Sequence, residues 1–184
     1  LYSLMARQAG IDMPETFLFP SKTCRGYFGV KRFDRNGALK IHVHTACGLL
    51  HASHRIGSID YENLLKLTQR LTCNQADVAK LVRLMIFNVK TGNRDDHSKN
   101  FSFLLTENRE WKLAPAYDLT PSAGINGEQT SMVNGKGTGI TDDDLIAAAQ
   151  TVGISKHKTQ EMIQAVDDAV AALPALKKEH GLKS

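Results

Sequence analysis

Three side chains whose oxygens can bind a metal ion or a hydroxyl group lie within one short stretch of the chain. Asp95 precedes Asn100 by five residues, and Asp118 follows after a segment whose pattern predicts a β-hairpin. Phosphoryl transfer from ATP needs one residue to orient the attacking hydroxyl and oxygen ligands to hold Mg²⁺ on the phosphates. We therefore predict that Asp95 orients an acceptor hydroxyl and that Asn100 and Asp118 bind Mg²⁺.

The spacing D-x-x-x-x-N is common by chance, so the sequence around it carries the inference. An apolar helix is predicted directly before the loop, and the hairpin directly after it. Rigid elements on both sides of a loop can fix catalytic geometry. Asp96 is an alternative to Asp95 for the hydroxyl-orienting role. Because it lies four residues from Asn100, it ranks second, and we expect its side chain to face solvent.

The predicted helix before the loop begins after Asn74 and ends near Gly92. Asn is a favoured N-cap, Asp77 in the first turn suits the helix dipole, and Gly is a favoured C-terminal stop. Apolar residues cover most of the helix surface, which predicts burial in the core. After the loop, FSFLL (101–105) and WKLAPAYD (111–118) flank a polar turn and predict the two strands of the hairpin.

Cap and turn residues mark the other elements of a mostly helical α+β fold. These are a helix over residues 2–9, strands over 16–19 and 27–33, a helix from the N-cap Ser58 to about Leu71, a loop or loose hairpin over 124–139, a helix from Thr141 to Gly153, and a helix from Ser155 to Pro174.

Composition limits the classes of function. With 42% hydrophobic and 23% charged residues, the chain has the make-up of a soluble globular protein, and no apolar run is long enough to span a membrane. A net charge of +4 suits an anionic ligand but is too small to predict direct nucleic-acid binding. Three scattered cysteines and the lack of a signal peptide predict a cytoplasmic protein with reduced thiols.

Four of the seven histidines lie within residues 36–57. His42 and His44 alternate as on a strand, and no pair has the spacing of a helical zinc motif. We interpret these histidines as structural or loop residues.

The motif GNRDDHSKNFSFL, followed by LAPAYDLTP, resembles the HipA-type toxin kinases, which are bacterial serine/threonine kinases of toxin–antitoxin modules. In that family the loop pattern is G-N-x-D-x-H-x-K-N-F-S, and the metal-binding Asp lies in P-x-Y-D. VKRFDR at 30–35 resembles the family's hinge strand, and SMVNGK at 131–136 resembles a later hairpin. The resemblance covers essentially the whole chain as the family's C-terminal portion. It implies a protein-kinase-like C-lobe with a small remnant of the N-lobe and hinge sheet.

The resemblance implies roles for residues of the loop. By position, Asp95 corresponds to the catalytic base, and Asn100 and Asp118 correspond to the Mg²⁺ ligands. His97 would orient the loop through a hydrogen bond. Lys99 would either neutralise a phosphate as a point charge or remain a solvated lysine.

The resemblance also places four residues beside the nucleotide. Lys31 and Phe33 would present backbone groups to adenine, Asp34 would approach the ribose, and Tyr117 would lie next to the nucleotide. ATP and Mg²⁺ are the cofactors that this picture implies.

The same resemblance divides the chain into two parts. Residues 1–35 would be the end of an N-lobe, with a helix, a small sheet and the hinge strand. Residues 36–184 would be a helical C-lobe with the catalytic loop 91–101 and the metal-Asp hairpin 101–121. A kinase also needs a phosphate-covering loop and a strand lysine. We find neither in this sequence, which also lacks an initiator Met, so we expect a fragment that alone binds nucleotide weakly and has little or no activity.

The leading hypothesis is the catalytic-lobe fragment of a HipA-like kinase that transfers the ATP γ-phosphate to a protein hydroxyl. The resemblance suggests aminoacyl-tRNA synthetases as substrates and a helix-turn-helix antitoxin as partner. One alternative is a non-catalytic module that binds an antitoxin or another partner. A second alternative is a kinase-fold enzyme that phosphorylates a small molecule or a lipid.

Overall fold

The computed structural model describes residues 1–52 and 59–181, which form helices and three small antiparallel sheets, as the predicted mixed fold requires. The helices are Tyr2–Gln8 (α1), Ala46–Leu49 (α2), Tyr61–Thr72 (α3), Gln75–Thr91 (α4), Asp142–Gln150 (α5), Lys156–Ala171 (α6) and Leu173–Glu179 (α7). The strands are Thr16–Phe19 (β1), Tyr27–Val30 (β2), Arg35–Asn36 (β3), Leu39–Lys40 (β4), His42–Thr45 (β5), Ser102–Leu105 (β6) and Trp111–Leu113 (β7).

Helix α4 lies at the centre of the core, where it packs against α3, α5 and α6. Its N-cap is Asn74, whose side-chain oxygen accepts a hydrogen bond of 2.8 Å from the Ala76 amide. Its C-terminus is set by Gly92, which adopts a left-handed backbone with φ of 67°. Both ends and the burial of this helix are therefore as predicted, and the helix delivers the chain into the Asp95 loop.

Strands β5, β6 and β7 form one sheet in that order. In its central strand, Phe103 lies opposite His44 of β5 and Leu113 of β7. The β6–β7 pair is the predicted hairpin. The pairing of β5 with β6 extends it to three strands, a long-range contact that local periodicity does not reveal.

Strand β7 ends at Leu113 and not near Asp118 as predicted. Pro115 has no N–H for the strand ladder. The next N–H, that of Ala116, donates instead to the carbonyl of Asp12 at 2.7 Å. The chain therefore leaves the sheet before Asp118 and reaches that residue as irregular backbone.

The N-terminal hairpin (residues 16–30) consists of β1 and β2, with Thr16 opposite Val30. Its large apolar side chains are exposed, and Leu18 and Phe28 each keep 67% of their surface accessible. Strand β2 ends at Val30, so the predicted strand over 27–33 is too long. Phe33 lies in the turn that leads to β3.

The start of α5 is fastened to the turn over residues 131–136. Thr141 is the predicted N-cap and forms a capping box with Asp144. The Asp144 carboxylate also accepts hydrogen bonds of 2.9 Å from Asn134 and from Lys136. These donors hold the pKa of Asp144 well below its usual range.

Two helix boundaries differ from the prediction. Helix α3 begins at Tyr61 with Asp60 at its N-cap. The predicted cap, Ser58, lies outside the described residues. Helix α6 ends at Ala171, and Pro174 falls in the first turn of α7, where its missing N–H has no helical partner to lose. Pro174 therefore opens a helix that the sequence analysis did not predict.

Across the described ranges 1–52 and 59–181, no helix combines the length and apolarity that a membrane crossing requires.

Candidate active site

The loop after α4 places Asp95 at the surface and locks Asn100 onto it. The Asp95 side chain keeps 59% of its surface accessible. The Asn100 side-chain amide donates to the Asp95 carbonyl at 3.0 Å, after a 3₁₀ turn at Ser98–Asn100. Because its nitrogen is used in this way, the amide oxygen of Asn100 remains for a ligand. The hydrogen bond between these two residues thus closes a small loop of backbone. The Asp95 carboxylate and the Asn100 amide oxygen are the two oxygen groups that remain for a ligand.

Asp118 adopts a left-handed backbone with φ of 57°, and its side chain is exposed. This conformation is unusual for a residue other than glycine, although Asp tolerates it better than most. Non-glycine residues held in this region cluster at functional sites. No hydrogen bond or ion pair within the described ranges engages the Asp118 carboxylate, so it is available to a ligand.

Tyr117 joins the segment before Asp118 to the loop. Its hydroxyl donates to the Lys99 carbonyl at 2.6 Å and forms a second hydrogen bond of 2.6 Å with the Ser102 hydroxyl. Its ring lies 5.6 Å from the ring of Phe33, centroid to centroid. Burial raises the pKa of Tyr117, which favours the neutral phenol that these bonds need. One side chain therefore brings together predicted residues from three parts of the sequence.

His97 and Lys99 occupy different positions in the loop. The Nε2 atom of His97 lies 3.9 Å from a carboxylate oxygen of Asp95. Its Nδ1 atom is buried and has no partner among the described residues. The Lys99 side chain is exposed, and only its carbonyl contributes to the packing. The structure therefore places His97 beside Asp95 and leaves Lys99 free to reach a ligand.

Lys31 and Asp34 are engaged in local contacts. The Lys31 amide donates to the Glu15 carbonyl at 2.9 Å, so only its carbonyl remains for a base. The Asp34 carboxylate accepts two hydrogen bonds from Arg32, at 2.8 and 2.6 Å, which lower its pKa. Within the described ranges, no hydrogen bond or ion pair connects Lys31 or Asp34 to the catalytic loop.

A cavity of about 610 Å³ lies between the N-terminal hairpin, α1 and the Asp118 segment. Phe28 and Val30 line one side, and Tyr117 and Asp118 line the other. Its volume is in the range of small-molecule sites, which combine apolar walls with a few polar groups. Asp118 is the charged group of this cavity.

Asp96 is buried, and the prediction that it faces solvent is wrong. It keeps 1% of its surface accessible, and its carboxylate accepts hydrogen bonds from the Ser131 amide at 3.0 Å and the Gln129 side chain at 3.1 Å. The contacts with residues 129–131 hold Asp96 inward while Asp95, its neighbour, is exposed. Burial raises the pKa of Asp96 to about 6. In the sequence, the adjacency of Asp95 and Asp96 is the one indication that one side chain is exposed and the other buried.

Within residues 1–52 and 59–181, no group of three or more His, Cys, Asp or Glu residues is arranged to hold a metal ion. His42 and His44 lie on β5 with their rings 6.3 Å apart, and His54 lies outside the described residues. Asn100 with Asp118 is therefore the pair to consider for an ion that arrives with its own phosphate ligands.

Similarity to known proteins identifies the family. The profile of the HipA-like C-terminal domain matches residues 1–173. The chain belongs to this family. It is 27% identical to the "Putative kinase Y4dM" of Sinorhizobium fredii over 90% of this chain and 46% of that protein. It is 30% identical to a "Putative kinase" of Haemophilus influenzae over 61% of this chain and 37% of that protein. The chain thus spans less than half the length of these curated relatives.

Solved structures show the same fold. HipA of Shewanella oneidensis, in a complex with HipB and operator DNA, superposes with a TM-score of 0.73 at 19% identity, over 92% of this chain and 48% of HipA. The proinflammatory kinase CtkA of Helicobacter pylori superposes with a TM-score of 0.58 at 13% identity, over 92% of this chain and 80% of CtkA. The HipA-like resemblance found in the sequence is confirmed, and at these identities the structural likeness concerns the fold alone.

Proposed function

We propose that this HipA-like domain is the catalytic lobe of an ATP-dependent serine/threonine protein kinase. The observation that carries the proposal is the double link across the site. Asn100 is bonded to the backbone of Asp95, and Tyr117, the neighbour of Asp118, is bonded to the backbone of Lys99. These links join Asn100 to the backbone of Asp95 and the segment before Asp118 to the same loop, which supports a shared role for the three residues.

In the proposed reaction, the substrate hydroxyl donates a hydrogen bond to the Asp95 carboxylate. The hydroxyl oxygen forms a bond to the γ-phosphorus as the bond from that phosphorus to the ADP oxygen breaks, and Asp95 takes the proton. Exposure of Asp95 gives a protein hydroxyl access to it. His97, 3.9 Å from the same carboxylate, would keep it directed outward.

The donor atoms fit Mg²⁺ held on nucleotide phosphates. Mg²⁺ prefers oxygen ligands and in such sites uses one or two protein groups together with the phosphates. The Asn100 amide oxygen and the Asp118 carboxylate supply such a set. When bound, the ion would neutralise the charge that develops on the transferred phosphoryl group. Lys99, exposed next to Asn100, can add a positive charge there.

Partner and substrate are proposals at the level of the family. The HipA neighbour is assembled with HipB and operator DNA, which supports an antitoxin as partner of the full-length protein. A helix-turn-helix antitoxin and an aminoacyl-tRNA synthetase substrate are the candidates to test first. The nucleotide would lie in the cleft beside Phe33 and Tyr117, in contact with the cavity at Asp118.

The test is phosphoryl transfer by the full-length protein from labelled ATP to a candidate protein or to itself. Asp95→Asn should lower the rate by roughly a hundredfold or more, because a positioned base contributes about that much. Asp143→Asn makes the same chemical change at an exposed position on α5 and should leave the rate unchanged. Equal rates for wild type and Asp95→Asn would refute the role of this loop.

A further inference from the structure

The segment over residues 129–131 is bonded to the catalytic loop at the residue next to Asp95. The Ser131 amide and the Gln129 side chain donate to the two oxygens of the Asp96 carboxylate, at 3.0 and 3.1 Å. The Ser131 hydroxyl donates to the Asp96 carbonyl at 2.6 Å. Ser131 is completely buried, and Gln129 keeps 6% of its surface accessible. Asp96 therefore binds this segment through its side chain and its backbone at once.

The backbone on the other side of Asp95 is held by the same segment. The Arg94 carbonyl accepts hydrogen bonds from the Thr130 amide at 3.1 Å and from the Thr130 hydroxyl at 2.7 Å. The carbonyl of Asp95 itself accepts from Asn100. Three successive carbonyls of the loop, at residues 94, 95 and 96, thus have specific donors. The main chain around Asp95 is fixed although its side chain is exposed.

A second chain of buried contacts ties the loop to the helical core. The Asn93 side chain donates to Asn88 of α4 at 3.0 Å, and Asn88 donates to the Tyr61 hydroxyl of α3 at 2.9 Å. The nearby Tyr61 hydroxyl acts to lower the pKa of Asp96, against the larger effect of burial. Buried polar networks specify a single arrangement as far as their members are satisfied, and here the Oδ1 atom of Asn93 has no partner among the described residues.

We propose that Asp96 is a positioning residue, whose carboxylate clamps residues 129–131 onto the loop and thereby fixes the direction of Asp95. The proposal rests on the phosphotransferase function above. It assigns adjacent Asp residues to different tasks, one facing the acceptor and one facing the core. A misplacement of about 1 Å in a catalytic group can lower a rate a hundredfold, so such a clamp has a measurable kinetic effect.

The clamp can be broken and rebuilt with two substitutions. Asp96→Asn keeps the oxygen that accepts from Ser131 but sets an NH₂ group against the NH₂ group of Gln129. Adding Gln129→Glu restores a donor–acceptor pair, because the new amide at 96 can donate to the new carboxylate at 129, while only the longer 3.4 Å bond from Gln129 to the Asn93 carbonyl is lost. The double variant has the same net charge as wild type. Asp143→Asn, on the surface of α5, again serves as the matched control.

In the full-length protein, Asp96→Asn should lower kcat for phosphoryl transfer by about ten- to a hundredfold while the KM for ATP changes less than about threefold. The double variant should recover most of that loss. Both variants should be measured well below the melting temperature of the less stable one. An unchanged kcat in Asp96→Asn, or a loss that the double variant does not reverse, would overturn the positioning role.

Backbone hydrogen exchange separates this proposal from the proposed function. In Asp96→Asn, exchange should accelerate in residues 92–100 and 128–133 and stay unchanged in α6. If wild type transfers no phosphoryl group to any acceptor, the kinase assignment fails, and this measurement still decides on the clamp. Accelerated exchange confined to the two segments would support the clamp, and unchanged or uniformly accelerated exchange would contradict it.

Discussion

The loop around Asp95 and the N-terminal hairpin are held in place by opposite means. In the loop, Asp96 is buried and accepts hydrogen bonds from Gln129 and Ser131, 33 and 35 residues further along the chain. In the hairpin, apolar residues such as Leu18 and Phe28 are exposed, and the strands are held mainly by their own pairing. Exposed apolar patches of this kind mark surfaces that receive another segment or molecule. Contacts within the chain therefore fix the geometry of the loop, whereas the hairpin leaves an apolar surface exposed.

The largest expected effect belongs to Asp118, which lines the cavity opposite Phe28 and Val30 of the hairpin. Asp118→Asn keeps a residue that tolerates the left-handed backbone but removes the negative charge. We expect phosphoryl transfer by the full-length protein to fall on the order of a thousandfold, because a metal ligand supports several kcal/mol of charge stabilisation.

The measurement is transfer from labelled ATP together with calorimetric titration of Mg²⁺–ATP. The circular dichroism spectrum of Asp118→Asn should match that of wild type, which excludes unfolding as the cause. Full activity in this variant would show that the cavity beside the hairpin is unrelated to the chemistry of the loop.

The second effect is a pH dependence of stability that comes from the loop. The pKa of Asp96 is about 6 in the folded chain, against about 4 in an unfolded chain. The folded state binds this proton more tightly. The resulting stabilisation is complete below about pH 4 and is lost as the pH rises through 6. It amounts to about 3 kcal/mol in the free energy of unfolding.

Urea denaturation of wild type and Asp96→Asn between pH 4 and pH 7 tests this sign. The difference in free energy of unfolding between the two proteins should change over that interval, because groups common to both cancel. Among the described residues, Tyr61 is a titratable neighbour of Asp96, and burial keeps its pKa well above this range. Near the hairpin, the hydrogen bonds from Arg32 lower the pKa of Asp34. The contribution of Asp34 to the free energy of unfolding is therefore lost as the pH falls. A constant difference between wild type and variant would contradict the burial of Asp96.

The smallest expected effect lies in the hairpin. In this chain, Leu18→Ala should change the free energy of unfolding by less than about 0.5 kcal/mol, because most of its side chain is already accessible. The matched change Leu64→Ala, at a side chain with 1% of its surface accessible, should cost about 2–5 kcal/mol. Thermal or urea denaturation measures both. A Leu18→Ala cost close to that of Leu64→Ala in the full-length protein would mean that the hairpin surface is covered there.

Local signals sufficed for the elements that position the site. The Asn74 cap, the Gly92 stop and the apolar surface of α4 all act within a few residues, and the structure has them as predicted. The loop pattern likewise identified the family. The cofactors and the roles of all the predicted site residues stay predictions. These residues are Lys31, Phe33, Asp34, Asp95, His97, Lys99, Asn100, Tyr117 and Asp118.

What the sequence did not reveal depends on contacts between distant segments. The burial of Asp96 requires Ser131, 35 residues further along the chain. The third strand of the central sheet requires β5 to pair with β6, although α2, α3 and α4 lie between them in the chain. Pro174 is compatible with a stop after α6 and with the first turn of α7, because proline is tolerated just past a helix end and at a helix start. Periodicity and caps carry no information on such choices.

The left-handed backbone at Asp118 limits which sequences can arise there by drift. Any residue with an ordinary side chain would add a conformational cost on the order of 1 kcal/mol to the loss of the carboxylate. Asn and Gly avoid most of that cost, whereas Ala and Val, which are equally one nucleotide away from an Asp codon, do not. We therefore expect relatives that have lost this carboxylate to carry Asn or Gly at position 118 more often than Ala or Val. An Asn or Gly there would thus mark a lineage that kept the backbone of this segment.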